Sequence, residues 1–191
     1  MRLEETAIPA VKIVHLDAHA DPRGLFVETW DSAKFEALDI CQNWVLDGLS
    51  RQNRKGTVRA LHFQTPPRAQ AKLVRVSRGK ALDVAVDLRQ GSSSFGQHVA
   101  VELDESDWKL LYIPSGFAHG FCAMQDGTEL VYKLSAPYSP ECNKHGLLWN
   151  DPDLAIAWPV TNDEAILAER DTTFPRLRDL PPLFGRFGGA P

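Results

Sequence analysis

Residues 56–76 hold two strand-like runs, Thr57 to Gln64 and Ala71 to Ser77, separated by a polar loop marked by Pro66 and Pro67. Each run carries a side chain that a plain β-sheet has no use for. In the first, His62 stands among Val58, Leu61 and Phe63, and an imidazole titrates near neutrality, where it can take or give a proton. In the second, the two-residue period of a strand puts Lys72 on the face of Val74 and Val76. An ammonium so placed must find a partner, lose its proton or serve a ligand, unless it lies near enough to the strand's end to snorkel into water. Tyr132 falls in the stripe Leu130, Tyr132, Leu134, where a core tyrosine with a satisfied hydroxyl is the usual outcome. A lone strand histidine is likewise more often hydrogen-bonded scaffolding than a catalyst.

The elements that must position these groups are mostly short strands. Strand signals run over Val11 to Leu16, Gly24 to Trp30, Trp44 to Ser50, Thr57 to Gln64, Ala71 to Ser77, Ala81 to Leu88, Gln97 to Leu103, Lys109 to Ile113, Gly120 to Met124 and Glu129 to Ser135. Turn-forming stretches such as Asp17 to Arg23, Ser77-Arg78-Gly79-Lys80 and Gln90-Gly91-Ser92-Ser93-Ser94 separate them. The alternation of Leu82, Val84 and Val86 with Ala81, Asp83, Ala85 and Asp87 predicts one dry and one wetter face. One short helix is expected over Asp31 to Leu38, capped by Asp31 or Ser32, as a surface appendage. Ala155 to Trp158 reads as a short strand and Ile166 to Arg170 as a single turn. Many strands with little helix predict an all-β antiparallel jelly roll, one domain over residues 1–191 with a docked or frayed tail at 176–191.

Composition narrows the function classes. At 191 residues, 43% hydrophobic and 24% charged, the chain resembles an ordinary globular protein. A net charge of -4 gives no electrostatic footprint for nucleic acid. No apolar run approaches the ~20 residues that cross a bilayer, and Met-Arg-Leu-Glu-Glu-Thr does not begin a signal peptide, so no membrane partner and a cytoplasmic location are expected. Cys41, Cys122 and Cys142 show no C-x-x-C spacing and read as free thiols.

Gly56 followed by His62-Phe63-Gln64 resembles the first motif of the cupin superfamily, with Gln64 where the family has a second histidine, and Pro114-Ser115-Gly116-Phe117-Ala118-His119 resembles the second. Together with Gln70 to Val76, Asp83 to Arg89, Ser94-Phe95-Gly96-Gln97 and Trp149-Asn150-Asp151-Pro152, these stretches make the chain similar to the dTDP-4-dehydrorhamnose 3,5-epimerases from about Glu5 to Pro175. The resemblance implies a cofactor-free, metal-free epimerase of a dTDP-4-keto-6-deoxyhexose, built as a cupin-type jelly-roll homodimer that exchanges N-terminal strands. It puts the proton-abstracting base on His62, its orienting carboxylate on Asp171, the enolate-stabilising lysine on Lys72 and the reprotonating acid on Tyr132. It assigns the nucleotide sugar to Arg23, Glu28, Asp47, Arg59, His119 and Arg170, with Tyr138 as the aromatic on which the base stacks.

That set makes chemical sense. Inversion beside a ketone needs a base on one face and an acid on the other, since a single two-sided group would mostly return the proton to where it came from. A fixed ammonium contributes by attracting the enolate more strongly than the ketone. Strict alternation, however, puts Arg59 and His62 on opposite faces of one strand, and a β-bulge near Ala60, or an Arg59 reaching round the strand's end, is needed to bring both to one substrate. The chain also departs from the family. Leu46-Asp47-Gly48-Leu49-Ser50 lacks two amides of the usual Gln-Asp-Asn-x-Ser, which bears on nucleotide preference, and Ala60 replaces a common glycine. The acidic site residue after Pro140 falls on Asn143 or Lys144, depending on the direction of counting. Two other functions compete. A metal-dependent cupin oxygenase or isomerase would need a third ligand beside His62 and His119. A non-catalytic sugar-nucleotide binding module would keep Arg23, Arg59 and Arg170 without needing His62, Lys72 and Tyr132 together.

Overall fold

The computed structural model describes residues 1–185, so the last six residues of the expected tail lie outside the described residues. The strands are β1 (Arg2–Glu5), β2 (Lys12–His15), β3 (Ala18–Asp21), β4 (Gly24–Val27), β5 (Leu46–Gln52), β6 (Val58–His62), β7 (Lys72–Arg78), β8 (Lys80–Asp87), β9 (His98–Asp104), β10 (Lys109–Ile113), β11 (Phe117–Ala123) and β12 (Thr128–Leu134). They form a six-stranded sheet, β1-β2-β10-β7-β12-β5, a four-stranded sheet, β6-β11-β8-β9, and the separate hairpin β3-β4. Every strand pairing is antiparallel. The all-β jelly roll expected from the strand pattern is the observed fold, and among the described residues no helix is long and apolar enough to cross a membrane.

The two larger sheets enclose the first core, which includes Val74 and Val76 of β7, Leu111 and Ile113 of β10, Leu130 of β12, and Phe117 and Phe121 of β11. Burial of each such side chain is worth about 1.5–3 kcal/mol. A second core, with Val58, Val84, Val86, Ala118, Leu147, Trp149 and Leu154, covers the outer side of the four-stranded sheet. This corrects the expectation of a wetter face on β8. Ala81, Asp83, Ala85 and Asp87 face the first core side and Val84 and Val86 the second, and all six are buried. The covering chain comes from residues 147–184, too distant in sequence for a local pattern to register.

Four local expectations also change. The stretch Asp17 to Arg23 is not all turn, since Ala18–Asp21 pairs with Gly24–Val27 and only the tip turns, where Arg23 N donates to Asp21 Oδ1 at 2.8 Å. The helix α1 spans Ser32–Glu36 with Asp31 as its cap, but it is no mere appendage, because Phe35 is buried against Leu16, Ile40, Leu110 and Tyr112. Ala155 to Trp158 forms no strand; Trp158 instead anchors the loop by donating its indole N–H to the Trp149 carbonyl at 2.7 Å. The turn expected at Ile166 to Arg170 falls slightly later, as a 3-10 turn over Glu169–Thr172. In the expected tail, Leu177–Asp179 forms a second 3-10 turn and Phe184 packs 5.7 Å from Phe63, so the described part is docked.

At the edge strand β6 the register shifts. His119 pairs with His62, but Phe121 pairs with Arg59, so three steps on β6 oppose two on β11. This is the bulge that Arg59 and His62 required. It brings the strands close: a Cβ at Gly120 would stand 2.5 Å from the Ala60 Cβ and 3.0 Å from the Arg59 carbonyl oxygen. With alanine already at 60, position 120 has no room for a side chain. Gly120→Ala is expected to cost about 1–3 kcal/mol, as overpacking does, seen as a lower urea midpoint at unchanged slope.

Candidate active site

The polar residues between the sheets gather at one side, where β5 and β12 face β6 and β11. His62 ends β6 and its ring is partly open to solvent, with a side-chain exposure of 30%. Its Nε2 lies 2.8 Å from Oδ1 of Asp171, which is buried in the Glu169–Thr172 turn. The two are 109 residues apart in sequence. An ionised carboxylate can only accept, so Nε2 carries the hydrogen and Nδ1 keeps its lone pair. The edge of Phe174 stands against the imidazole at 5.9 Å. Gly146, bridged to His62, leaves room for that ring, since a Cβ there would meet it at 2.5 Å.

Arg59, His62, Asn143, Arg170 and Asp171 line one cavity of about 420 Å³. The bulge thus does what the sequence demanded of it, and of the two candidates after Pro140 it is Asn143 that reaches the cavity. Arg170 donates to the Asn143 carbonyl at 3.4 Å and lies over Phe174 at 5.2 Å. Deeper in, Arg59 Nε donates to Gln52 Oε1 at 3.0 Å, Gln52 Nε2 donates to Ser50 Oγ at 2.7 Å, and Ser50 shares a hydrogen bond with Tyr132. Burial, followed by the Asp83 charge, raises the Tyr132 pKa, so the phenol keeps its proton.

Lys72 does not snorkel. It is 9% exposed, and its Nζ lies 3.4 Å from Nδ1 of His119. His119 in turn sets Nε2 at 2.9 and 3.0 Å from the two oxygens of Asp83, a fully buried carboxylate. The chain of donors is therefore Lys72 to His119 to Asp83, with the His119 Nε2–H pointing at the carboxylate and its Nδ1 lone pair at the ammonium. Burial pushes the Lys72 pKa down to about 8, against the opposing pull of Asp83. Burial also lowers that of His119, keeping it neutral between a cation and an anion. His119 ties the groups together, since it is paired with His62 across the strands and its ring stands 6.3 Å from that of Tyr132.

Within one chain, seven of the expected residues are not in the lining of this cavity: Lys72, His119 and Tyr132 sit in the interior contacts just described, and four lie elsewhere. Arg23 is at the exposed tip of the β3-β4 hairpin, bonded to Asp21. Glu28 pairs with Lys34 at the start of the helix region. Asp47 points to the outer face of β5, 2.8 Å from Lys133, beside a hollow of about 390 Å³. Tyr138 is 60% exposed on the loop after β12. Conversely, reading the sequence did not single out Asp83, Gln52 or Phe174. Asp83 left one trace, a carboxylate between Ala81 and Ala85 on a strand face that proves dry. The metal-cupin reading fares poorly on donor geometry: Gln64 spends its amide on backbone groups, and each imidazole gives a ring nitrogen to a carboxylate. Among the described residues no group of three or more His, Cys, Asp or Glu is arranged to hold a metal ion. The arrangement is suited to moving a proton: an oriented imidazole at the mouth, a neutral phenol, and an ammonium held ready for developing negative charge.

Known proteins are similar to this chain in sequence and in fold. The family profile described as dTDP-4-dehydrorhamnose 3,5-epimerase matches residues 5–179. The enzyme of that name from Sinorhizobium fredii is 40% identical over 184 residues, covering 96% of this chain and 93% of its own. That from Shigella flexneri is 41% identical over 172 residues, covering 90% and 93%. The crystal structure of dTDP-6-deoxy-D-glucose-3,5-epimerase from Legionella pneumophila, in complex with dTDP-4-keto-L-rhamnose, matches with a TM-score of 0.92 at 35% identity, over 98% of this chain and 99% of that one. The Bacillus anthracis dTDP-4-dehydrorhamnose 3,5-epimerase, with TDP and PPi bound, matches with a TM-score of 0.88 at 38% identity, over 92% and 98%. On sequence and on architecture, the chain belongs to the dTDP-4-dehydrorhamnose 3,5-epimerase family.

Proposed function

We propose that the protein is a nucleotide-sugar epimerase that inverts carbon centres flanking the ketone, C3, C5 or both, of a dTDP-4-keto-6-deoxyhexose, with no cofactor. The observation that carries this reading is the pairing of His62 with Asp171 on one cavity, together with His119, the cross-strand partner of His62, which ties in Lys72, Asp83 and the Tyr132 ring. His62 Nδ1 takes the proton from the carbon beside the ketone, and Asp171 stabilises the imidazolium that results. The electron pair moves onto the carbonyl oxygen, where the Lys72 ammonium meets it. Tyr132 then returns a proton to carbon from the opposite face, and exchange with water resets both groups. Loss of one such electrostatic contact typically costs on the order of 10²-fold in rate. Arg59, Arg170 and His119 hold the substrate, and the names of the relatives, the dTDP-4-keto-L-rhamnose bound to one and the TDP bound to another support its class. Cys41, Cys122 and Cys142 are all free thiols, which suits the reducing cytoplasm.

The active form we propose is a homodimer that exchanges N-terminal strands. Among the described residues the β3-β4 hairpin pairs only with itself, and Leu25 and Phe26 on it are 48% and 64% exposed. A lone two-stranded hairpin is marginal in water, and exposed apolar clusters mark contact sites. In a second copy it finds both cover and purpose, since Arg23 and Glu28 then reach the partner's nucleotide sugar.

Three measurements follow. Incubation with dTDP-4-keto-6-deoxyglucose in deuterated water, followed by NMR at C3 and C5, is expected to show deuterium uptake that His62→Ala abolishes. Tyr132→Phe should keep exchanging while forming less inverted product; uptake unchanged in His62→Ala removes His62 from the base role. The pH profile of kcat/KM tests Lys72. Its ammonium is present below about 8 and is lost as pH rises through that value, so activity should fall on the alkaline side. Asp83→Asn deletes the charge that holds the proton on, moving that fall to lower pH, and a limb that stays put argues against Lys72 as the titrating group. Sedimentation should report a dimer for the native chain and a monomer of reduced activity for Phe26→Asp; a native monomer of full activity sinks the exchange.

A further inference from the structure

Gln64 follows His62 by two residues and is 3% exposed. Its amide is fully used, and all of it on backbone. Nε2 donates to the Arg68 carbonyl at 2.7 Å and to the Pro137 carbonyl at 3.1 Å, while Oε1 accepts from Ser139 N–H at 2.7 Å. Pro137 and Ser139 are the two neighbours of Tyr138, so one buried amide grips the chain immediately before and immediately after an aromatic that is itself 60% exposed. The same loop is tied down at both ends. Gln70 Nε2 donates to the Ala136 carbonyl at 2.7 Å, and Thr65 N–H donates to the Cys142 carbonyl at 2.9 Å. Its far end, Asn143, already lines the cavity beside His62.

We infer that Gln64 is a positioning residue for the nucleotide end of the site, holding the Tyr138 ring at a fixed place relative to His62 so that a base stacking on the ring and a sugar facing the imidazole are in register. This rests on the function proposed above and on the role that the family resemblance gives Tyr138, that of the aromatic on which the base stacks. A glutamine is costly to immobilise, and three bonds to backbone are more than a loop staple requires. What they secure is a pre-formed stacking surface, which favours binding by removing the loop ordering that a ligand would otherwise impose. An amide is also the side chain that suits both sides of Tyr138, since it donates to one carbonyl and accepts from one N–H. A neutral imidazole, with one donor and one acceptor, could not supply the second donation, to the Arg68 carbonyl.

The test is dTDP affinity by calorimetry and steady-state kinetics with the 4-keto sugar nucleotide, on the full chain. Gln64→Met preserves volume and removes all three bonds. It is expected to weaken dTDP binding about tenfold and raise KM similarly, with kcat within about threefold, the scale set by net loss of buried hydrogen bonds. In the Tyr138→Ala background the same substitution should have little further effect on dTDP, because its action runs through the ring. Should Gln64→Met fail to fold, Gln64→Glu is measured instead: it still accepts from Ser139 but cannot donate to Pro137 or Arg68. Unchanged dTDP affinity, or a loss that simply adds to that of Tyr138→Ala, overturns the inference while leaving turnover of the native protein intact. A native protein that neither binds dTDP nor turns over the sugar condemns the functional reading itself, and this inference with it.

Discussion

An ammonium group cannot be enclosed between two β-sheets unless something of opposite charge is enclosed with it, and the site is arranged around that constraint. Lys72 is the first residue of its strand, and Asp83 lies on a strand of the other sheet. His119 bridges them with one nitrogen toward each. Breaking such a buried set by removing one member usually costs about 3–5 kcal/mol, because the remaining charge is stranded. The arrangement therefore leaves little freedom at any of the three positions. It also keeps the lysine charged at a cost in proton affinity, so that its pKa sits near 8 rather than near 10. A cation so weakly held by water is well placed to respond to a new negative charge beside it.

Much of this was legible in the residues, for a physical reason. Strands with one face against the inter-sheet core alternate, so the inward direction of Lys72 and Tyr132 follows from Val74, Val76 and Leu130 alone. The roles expected of His62, Asp171 and Tyr138 rest on family resemblance, since no spacing rule links residues 109 positions apart. What stayed hidden depended on distant cover or on competing local signals. Strand β8 looked half wet because the chain that dries its outer side arrives some sixty residues later. The four residues of β3 were masked by Asp21-Pro22, whose turn chemistry is strong and whose strand is short. Asp83 was invisible as a site residue because its partner, His119, lies on a neighbouring strand and not in its own pattern.

The departures from the family pattern fall where the geometry can absorb them. Ala60 adds a methyl where the chain bulges, and the neighbouring strand answers with Gly120 at the contact. Gly48 faces inward beside Tyr132, where its missing side chain leaves the phenol's approach open, with its Cβ direction 3.8 Å from the ring. Leu46 and Gly48 together thin the polar contacts along β5, and Gln52 with Ser50 carries what remains of that network toward Arg59.

Among the described residues strand β6 has one sheet neighbour, β11, and its other edge is closed by chain from much later: Val58 N–H donates to the Ile166 carbonyl, and Leu61 exchanges hydrogen bonds with Leu147. The same late segment then delivers Asp171. A growing polypeptide emerging from the ribosome would hold the imidazole, the lysine and the phenol well before this closure, yet possess neither a sealed strand nor an imidazole held by its carboxylate. Sealing of the strand and orientation of the imidazole are thereby tied to synthesis past residue 171, and a product that stops earlier exposes a sticky strand edge.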